Sequence, residues 1–255
     1  MKAVILAGGF GTRISEYTHS IPKPMIPIGD VPILAHIIEI YVKYGIDEII
    51  ILGGYKVEVI QEYFYNTMWV RRDMQLDFKN SKITYINSTQ EVFSNLKITI
   101  LDTGANTMTG GRLLRARKYL EHDECFHFTY GDGLSNVNLD EVINIHRKSN
   151  SIATLTAVKP PARYGELTIQ QNTVLEFKEK PKLDSGYING GFFVLSKEIF
   201  NYLQDDTTVF EKSPLENLAR EGKLSCFHHE GFWQSVDTKK EKDFLESLVT
   251  QKPWI

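Results

Sequence analysis

Lys2-Ala3-Val4-Ile5-Leu6-Ala7-Gly8-Gly9-Phe10-Gly11-Thr12-Arg13 is the stretch that decides the fold. From Ala3 to Ala7 the run is apolar with no polar alternation. A strand of that kind is covered on both faces, as strands of parallel sheets are. Glycines follow it at once. They let the backbone approach a ligand closely, and their N–H groups can line an anion-binding concavity. A helix starting nearby would add its dipole. The turn is not a Walker loop, because no Gly-Lys-Ser/Thr follows. Nor is it a full dinucleotide fingerprint: Gly9 and Gly11 fit the first two glycines, but Ile14 stands where the third belongs. Taken alone, the glycines stay open between a ligand turn and an ordinary tight turn. Arg13, and Lys23 between Pro22 and Pro24, bring fixed positive charge to the same loop, as a triphosphate requires.

Outward from that turn, strand and helix patterns alternate. Ile33, Leu34, Ile37, Ile38 and Tyr41 recur at helical spacing, and Gly45 supplies the stop. Asp47 to Leu52 predicts a second buried strand; Val57, Ile60 and Phe64 predict another helix. Near 74–95 the pattern changes to alternation around Asn80-Ser81, which predicts an inserted antiparallel hairpin. Then come a strand over Ile98 to Leu101, a helix over Arg112 to Leu120, a strand over Cys125 to Tyr130, a helix over Asp140 to Arg147 and a strand over Ile152 to Val158. Residues 160–196 read mostly as strands and turns, and Lys239 to Val249 as a helix. The expected fold class is α/β: a Rossmann-like, mostly parallel mixed sheet flanked by helices, with right-handed crossovers and a smaller β-rich lobe. The whole of 1–255 is expected to be a single domain, the lobe lying near 160–238. Ligands of such sheets sit outside the carboxyl ends of the strands, so the residues just after strands are the ones to inspect.

Bulk composition narrows the function. The chain has 255 residues, 42% hydrophobic and 24% charged, the balance of an ordinary soluble globular protein. A net charge of -3 does not suit a general nucleic-acid binder, so any phosphate must be held by a few placed cations. The two cysteines, Cys125 and Cys226, make neither a disulfide framework nor a CxxC metal site. With no signal peptide and no apolar run of membrane-spanning length, a cytoplasmic enzyme without membrane or nucleic-acid partners is expected.

Several turns carry candidate chemistry. Tyr130-Gly131-Asp132-Gly133 follows a strand, so Asp132 should sit at a carboxyl end, where a carboxylate is a natural Mg²⁺ ligand or a helix cap. In Gly231-Phe232-Trp233-Gln234-Ser235-Val236-Asp237-Thr238, Asp237 is a second candidate metal carboxylate; read alone, an N-cap role for the last helix has the edge. In Glu176-Phe177-Lys178-Glu179-Lys180-Pro181, Lys180 lies on extended backbone and is either a phosphate contact or a surface charge. Asn189-Gly190-Gly191 puts glycines inside a strand-like run, with an amide suited to sugar hydroxyls. Thr109-Gly110-Gly111-Arg112 opens a helix and is another anion or sugar contact.

These segments, in this order and over essentially the whole chain, resemble the sugar-phosphate nucleotidyltransferases. Within them MKAVILAGG, KPM, LDTG, MTGGR, FTYGDG, INGGFFVL and GFWQSVDT resemble the glucose-1-phosphate cytidylyltransferases. The resemblance implies the glycosyltransferase-A-like form of the α/β fold, CTP and a sugar 1-phosphate as substrates, Mg²⁺ as cofactor and a homo-oligomer. It places Leu6, Ala7, Gly8, Gly9, Gly11 and Thr12 along the nucleotide, with Thr109, Gly111 and Arg112 near the base and sugar. Arg13 and Lys23 would hold the triphosphate and the leaving pyrophosphate. Asp132 and Asp237 would bind Mg²⁺. Lys180 would face the sugar phosphate, and Tyr130, Glu179, Asn189 and Gly190 would contact the acceptor. Ile21, Ala35, Ala162, Tyr164 and Ser235-Val236 depart from the family pattern without removing a charge from this set. A different NTP or acceptor, and a sensor without catalysis, stay open as alternatives; an oxidoreductase fails on the missing third glycine.

Overall fold

The computed structural model describes the chain except for residues 70–72, 86–92, 94, 161–165, 171–172 and 179–185. Strand β1 (Lys2–Ala7) lies inside one large sheet. It pairs in parallel with β2 (Glu48–Gly53) on one side and β4 (Cys125–Tyr130) on the other. Strand β3 (Lys97–Asp102) extends the parallel run beyond β2. On the far side, β7 (Phe193–Ser196) pairs antiparallel with β4 and with β5 (Ala153–Val158). Strand β6 (Ile188–Asn189) pairs antiparallel with the end of β5, and β8 (Leu224–His229) runs parallel along its whole length. The order is β6-β5-β7-β4-β1-β2-β3, with β8 on β5. The sheet is therefore mixed, with a parallel core.

The apolar run that announced β1 has the predicted cause. Ala3, Ile5 and Ala7 face one hydrophobic core, together with Ile49 and Ile51 of β2 and the buried face of α1 (Ile33–Lys43). Val4 and Leu6 face the other, with Ile50, Leu52, Phe126 and Phe128. Both faces are dry from Ala3 to Ala7, and only Lys2, at the partly exposed start of the strand, is polar. Helix α1 ends as expected: Gly45 takes φ 72°, and its N–H bonds the Val42 carbonyl at 2.9 Å. Helix α2 (Val57–Trp69) follows β2. The hairpin near 74–95 is present as Met74–Asp77 paired with Lys82–Tyr85; part of that span lies outside the described residues.

One helix differs from expectation. The helix expected over Arg112 to Leu120 starts earlier and is broken: α3 (Thr109–Arg115) stops at Ala116, and a single turn, Arg117–Leu120, follows. Helix α4 (Leu139–Ser149), helix α5 (Ser213–Arg220) and the Lys197–Tyr202 3₁₀ segment lie in the second half beside its strands. That half extends the main sheet through β5, β7 and β8. Helix α6 (Lys239–Ser247) closes the series. Among the described residues, no helix is long and apolar enough to cross a membrane.

Candidate active site

Register brings the candidate turns together. Leu6 pairs with Tyr130, and Ala7 with Gly53, whose own partner is Asp102. The segments after β1, β3 and β4 therefore open at one edge, the carboxyl edge of the parallel strands. They line a cleft of about 590 Å³. Its walls include Leu6, Ala7, Gly8, Gly9, Gly11, Thr12, Arg13, Lys23, Thr109, Arg112, Tyr130, Asp132 and Asp237. Gly111, Asn189 and Gly190 are not among its lining residues. Glu179 and Lys180 lie outside the described residues.

The glycine turn is shaped from below. Gly11 has φ 63°, a left-handed conformation that other residues adopt at a cost. A Cβ on Gly8 would lie 2.2 Å from an Arg112 nitrogen, so this position has room only for hydrogen. At Gly9 a Cβ would meet nothing, because Gly9 faces the open cleft. The expected helix after the turn is only a 3₁₀ segment, Thr12–Ile14, followed by the single turn Ser15–Thr18. Its dipole is correspondingly short, and the positive charge of the site resides in side chains.

Arg112 is 4% exposed. Its terminal nitrogens donate to the carbonyls of Gly53 (3.0 Å), Gly104 (2.8 Å), Gly8 (2.9 Å) and Ala105 (3.2 Å), and to Thr103 Oγ1 (2.7 Å). Burial pulls the guanidinium below its ordinary value, with Asp102 opposing and Arg115 adding. Arg112 thus stitches the ends of β1, β2 and β3 into one floor and keeps a full charge beneath Gly8. Gly111 is a packing glycine: a Cβ there would lie 2.6 Å from the Asp206 backbone. The segment Asp206–Phe210 crosses the start of α3 and bonds it through Met108 N–H to Asp206 O (2.8 Å), Gly110 N–H to Thr208 O (2.9 Å) and Phe210 N–H to Thr109 Oγ1 (2.9 Å).

Across the cleft lies an ionic cluster. Lys23 Nζ donates to Asp132 Oδ2 at 2.5 Å and to Asp237 Oδ1 at 2.8 Å. Arg13, 74% exposed, reaches Asp237 Oδ2 at 3.0 Å. Burial pulls the Lys23 ammonium down, but the charges and hydrogen bonds of Asp132 and then Asp237 outweigh it and leave the group above its ordinary value. The carboxylates meet although far apart in sequence, because Trp233–Ser235 pairs antiparallel with Gly133–Ser135. Val236 N–H then bonds the Asp132 carbonyl at 2.9 Å.

Asp237, for which a cap role had the edge on sequence, is not the cap. The N-cap of α6 is the next residue, Thr238, whose side chain accepts from Glu241 N–H while Glu241 bonds back in a capping box. Asp237 is thereby released toward Lys23. Two carboxylates sharing one cation are the donor set Mg²⁺ takes when phosphate oxygens complete its shell, so the residues fit a divalent metal at this point. Among the described residues no group of three or more His, Cys, Asp or Glu could hold a metal by itself.

Among the residues that the resemblance assigns to the acceptor, Asn189 Nδ2 donates to the Tyr130 hydroxyl at 3.1 Å, and Asn189 Oδ1 accepts from Gly191 N–H at 2.9 Å. Gly190 is held by Trp233 Nε1, which donates to its carbonyl at 2.8 Å. Burial, followed by the Glu211 charge and hydrogen bond, raises the Tyr130 phenol. Glu211 had no signal in the sequence beyond its residue type, and Trp233 stood within the Gly231–Thr238 stretch without a role of its own. Phe10, Pro24 and the Ala105–Met108 segment of the wall neighbour motifs that did.

Comparison with known proteins agrees with this geometry. The nucleotidyl transferase family model matches residues 2–248. A glucose-1-phosphate cytidylyltransferase of Salmonella typhi is 45% identical over 256 residues, covering 100% of this chain and 98% of that protein. A Bacillus subtilis (strain 168) protein named a probable glucose-1-phosphate cytidylyltransferase is 46% identical, covering 94% and 92%. Among solved structures, HddC from Yersinia pseudotuberculosis superposes with a TM-score of 0.71 over 97% of this chain and 99% of its own, at 24% identity, a likeness of fold. With two carboxylates converging on one cation beside the glycine turn, and full-length relatives of this kind, the chain belongs to the nucleotidyl transferase family, in its glucose-1-phosphate cytidylyltransferase branch.

Proposed function

We infer that the protein transfers a cytidylyl group from CTP to a sugar 1-phosphate, α-D-glucose 1-phosphate first among them, giving a CDP-sugar and pyrophosphate. The observation that carries this reading is the meeting of Lys23, Asp132 and Asp237 at one point beside the Gly8–Arg13 turn. That it occurs in a chain 45% identical over its full length to a glucose-1-phosphate cytidylyltransferase gives the substrates.

No protein nucleophile is needed. An oxygen of the sugar phosphate, already anionic, attacks the α-phosphorus of CTP in line. A new P–O bond forms there, the bond to the β-phosphate oxygen breaks, and the electron pair leaves with pyrophosphate. The obstacle is repulsion between anions and charge on the leaving group, so placed cations and alignment do the work. The exposed Arg13 and the half-hidden Lys23 bear on the triphosphate, and the Arg112 charge beneath Gly8 adds a fixed positive field. Mg²⁺, held by Asp132 and Asp237, would neutralise phosphate charge. Lys180 faces the acceptor phosphate in this reading, and Glu179 and Asn189 the sugar hydroxyls.

A homo-oligomer belongs to the same reading. The Met74–Tyr85 hairpin carries Leu76, Phe78 and Ile83 exposed at 48%, 87% and 57%. Two strands with so much bare apolar surface are marginal alone in water. Light scattering of the purified protein measures the assembly directly.

The test of function is a matrix of CTP, UTP, dTTP, ATP and GTP against several sugar 1-phosphates, read by pyrophosphate release. CTP with glucose 1-phosphate should lead, with kcat/KM at least about tenfold above the other nucleotides, roughly 1.4 kcal/mol. Cytosine offers an N4 donor where uracil offers an acceptor, and an unpaired buried group costs that much or more. Equal use of UTP and CTP would defeat the cytidylyl assignment.

A further inference from the structure

The turn between β2 and α2 grips the glycine loop of the cleft at both ends. Tyr55 N–H donates to the Gly8 carbonyl at 3.2 Å, and the Tyr55 ring lies 5.2 Å from that of Phe10, which lines the cleft. The Tyr55 hydroxyl donates to the Thr18 carbonyl at 3.0 Å. Lys56 Nζ donates to the carbonyls of His19 at 2.7 Å and Ser20 at 3.1 Å. Two adjacent residues thus hold the loop where it leaves β1 and where it returns. The hold is passed inward by Thr18, 3% exposed, whose hydroxyl donates to the Gly11 carbonyl at 3.0 Å. Gly11 is the left-handed residue just before Thr12 and Arg13, and a Cβ on it would lie 2.7 Å from Thr18. Fixing Thr18 therefore fixes Gly11, and with it the direction in which Arg13 leaves the loop. Lys56 has φ 52°, a conformation that costs energy for a residue carrying a Cβ. Such strain persists where the surroundings over-determine it, as the two carbonyl bonds do here. A cap for the single turn Ser15–Thr18 would account for Lys56 alone. The hold of its neighbour on Gly8 and Phe10 extends the device to the whole loop.

We propose that Tyr55 and Lys56 are positioning residues for the nucleotide triphosphate, acting through Arg13. The proposal rests on the nucleotidyl-transfer reading above, in which Arg13 bears on that triphosphate. The Arg13 side chain is 74% exposed, so its aim depends chiefly on the backbone that carries it. Lys23, by contrast, is fixed by two carboxylates. Arg112 secures Gly8 independently, through a 2.9 Å bond to the same carbonyl. Loss of the Tyr55 hydroxyl therefore loosens the path from Thr18 through Gly11 to Arg13 and leaves the Gly8 end in place.

The experiment compares full-length wild type with Tyr55→Phe, Lys56→Gly, Lys56→Arg, Arg13→Ala and the double variant Arg13→Ala/Tyr55→Phe. Pyrophosphate release is measured with CTP and the sugar 1-phosphate each varied against a saturating partner, and Tm by calorimetry. Tyr55→Phe keeps the ring and the N–H and removes only the hydroxyl. It should lower kcat/KM for CTP by about three- to tenfold, the worth of one hydrogen bond, while KM for the sugar 1-phosphate moves less than about twofold. Lys56→Gly removes the carbonyl bonds and the left-handed strain together, so kcat/KM for CTP should fall as far while Tm stays within about 3 °C of wild type. Lys56→Arg keeps donors for the carbonyls and should retain at least about half of the wild-type value. In the Arg13→Ala background, Tyr55→Phe should cost less than about 1.5-fold, because both changes act on one element. Additive losses in the double variant, equal losses toward both substrates, or a fall in Tm with kcat/KM for CTP kept would overturn the proposal while leaving the reaction standing. Wild type that turns over no nucleotide and sugar phosphate pair would overturn the functional reading, and the proposal with it.

Discussion

The two arginines of the cleft behave in opposite ways, and so do the regions around them. Arg112 is 4% exposed, and its terminal nitrogens are committed to the ends of three strands and the segment after β3. Arg13 is 74% exposed at its side chain and, among the described residues, makes one ion pair, to Asp237. Around Arg112 the floor of the cleft is already fixed: the carbonyls are bonded and Gly8 is seated. Around Arg13 the charges neutralise one another. Lys23 stands between Asp132 and Asp237, and in the proposed reaction each partner would be shared again when phosphate and metal arrive. Preorganisation belongs to the Arg112 floor and exchange to the ionic side; in the proposed reaction the first would bed the nucleotide and the second would meet the charge on the leaving group.

The sharpest way to break this contrast is Asp132→Asn. On an exchanging side, losing one carboxylate charge should cut kcat by about 10²–10³-fold, the usual cost of one group stabilising transition-state charge, while Tm stays near wild type. Asp237→Asn should do the same. A large fall in Tm with kcat kept would make the carboxylates structural and erase the distinction.

Arg112→Ala should produce the opposite profile. It strands several buried carbonyls, and the expected loss is about 3 kcal/mol of stability, a Tm lower by roughly 6–12 °C. Arg112→Lys should not restore it, because one ammonium cannot reach the same spread of acceptors. Calorimetry of both variants beside wild type reads the effect, and an unchanged Tm would show that the floor does not depend on the clamp.

Lys23→Ala sharpens the exchange side further. Removing the shared ammonium should lower kcat/KM for CTP by about tenfold or more, yet leave two carboxylates facing each other and raise affinity for Mn²⁺ without nucleotide by about threefold or more. Titration calorimetry with Mn²⁺ distinguishes this from a simple loss of the site, in which metal binding weakens as well.

The smallest effect lies one residue beyond the cluster. Thr238→Ala should cost about 1 kcal/mol through the lost cap, with kcat within about twofold of wild type. Urea unfolding followed by an assay tests both halves. A large kcat loss here would mean that cap and metal ligand cannot be separated.

What could be read from the sequence follows the same division. Strand β1 announced itself because both of its faces are dry, Gly8 and Asp132 because they stand just past apolar runs, and Arg13 and Lys23 as charges close to the glycine turn. The clamp of Arg112 was not readable: its partners are backbone carbonyls, which leave no residue-type signature. The choice between Asp237 and Thr238 as the cap was a one-residue question decided by the Trp233–Ser235 register, and both residue types cap well. Lys23 was visible as a charge near the loop, but its position between carboxylates 109 and 214 residues away in sequence was not. Edge strand β8 escaped notice because Leu224–His229 is only partly buried and mixes residue types.

The short ladder between Gly133–Ser135 and Trp233–Ser235 has a consequence for how the protein is made. It closes a loop of roughly a hundred residues, an ordering cost of about 4 kcal/mol that nothing local repays. On a ribosome, β1 through β4 emerge early and β1, β2 and β4 can pair while the rest is still being synthesised, but the second carboxylate comes near the end. A growing chain therefore carries Asp132 without Asp237 while about a hundred further residues are added. The finished active centre appears in a single late event, when the last strand folds back and delivers Asp237.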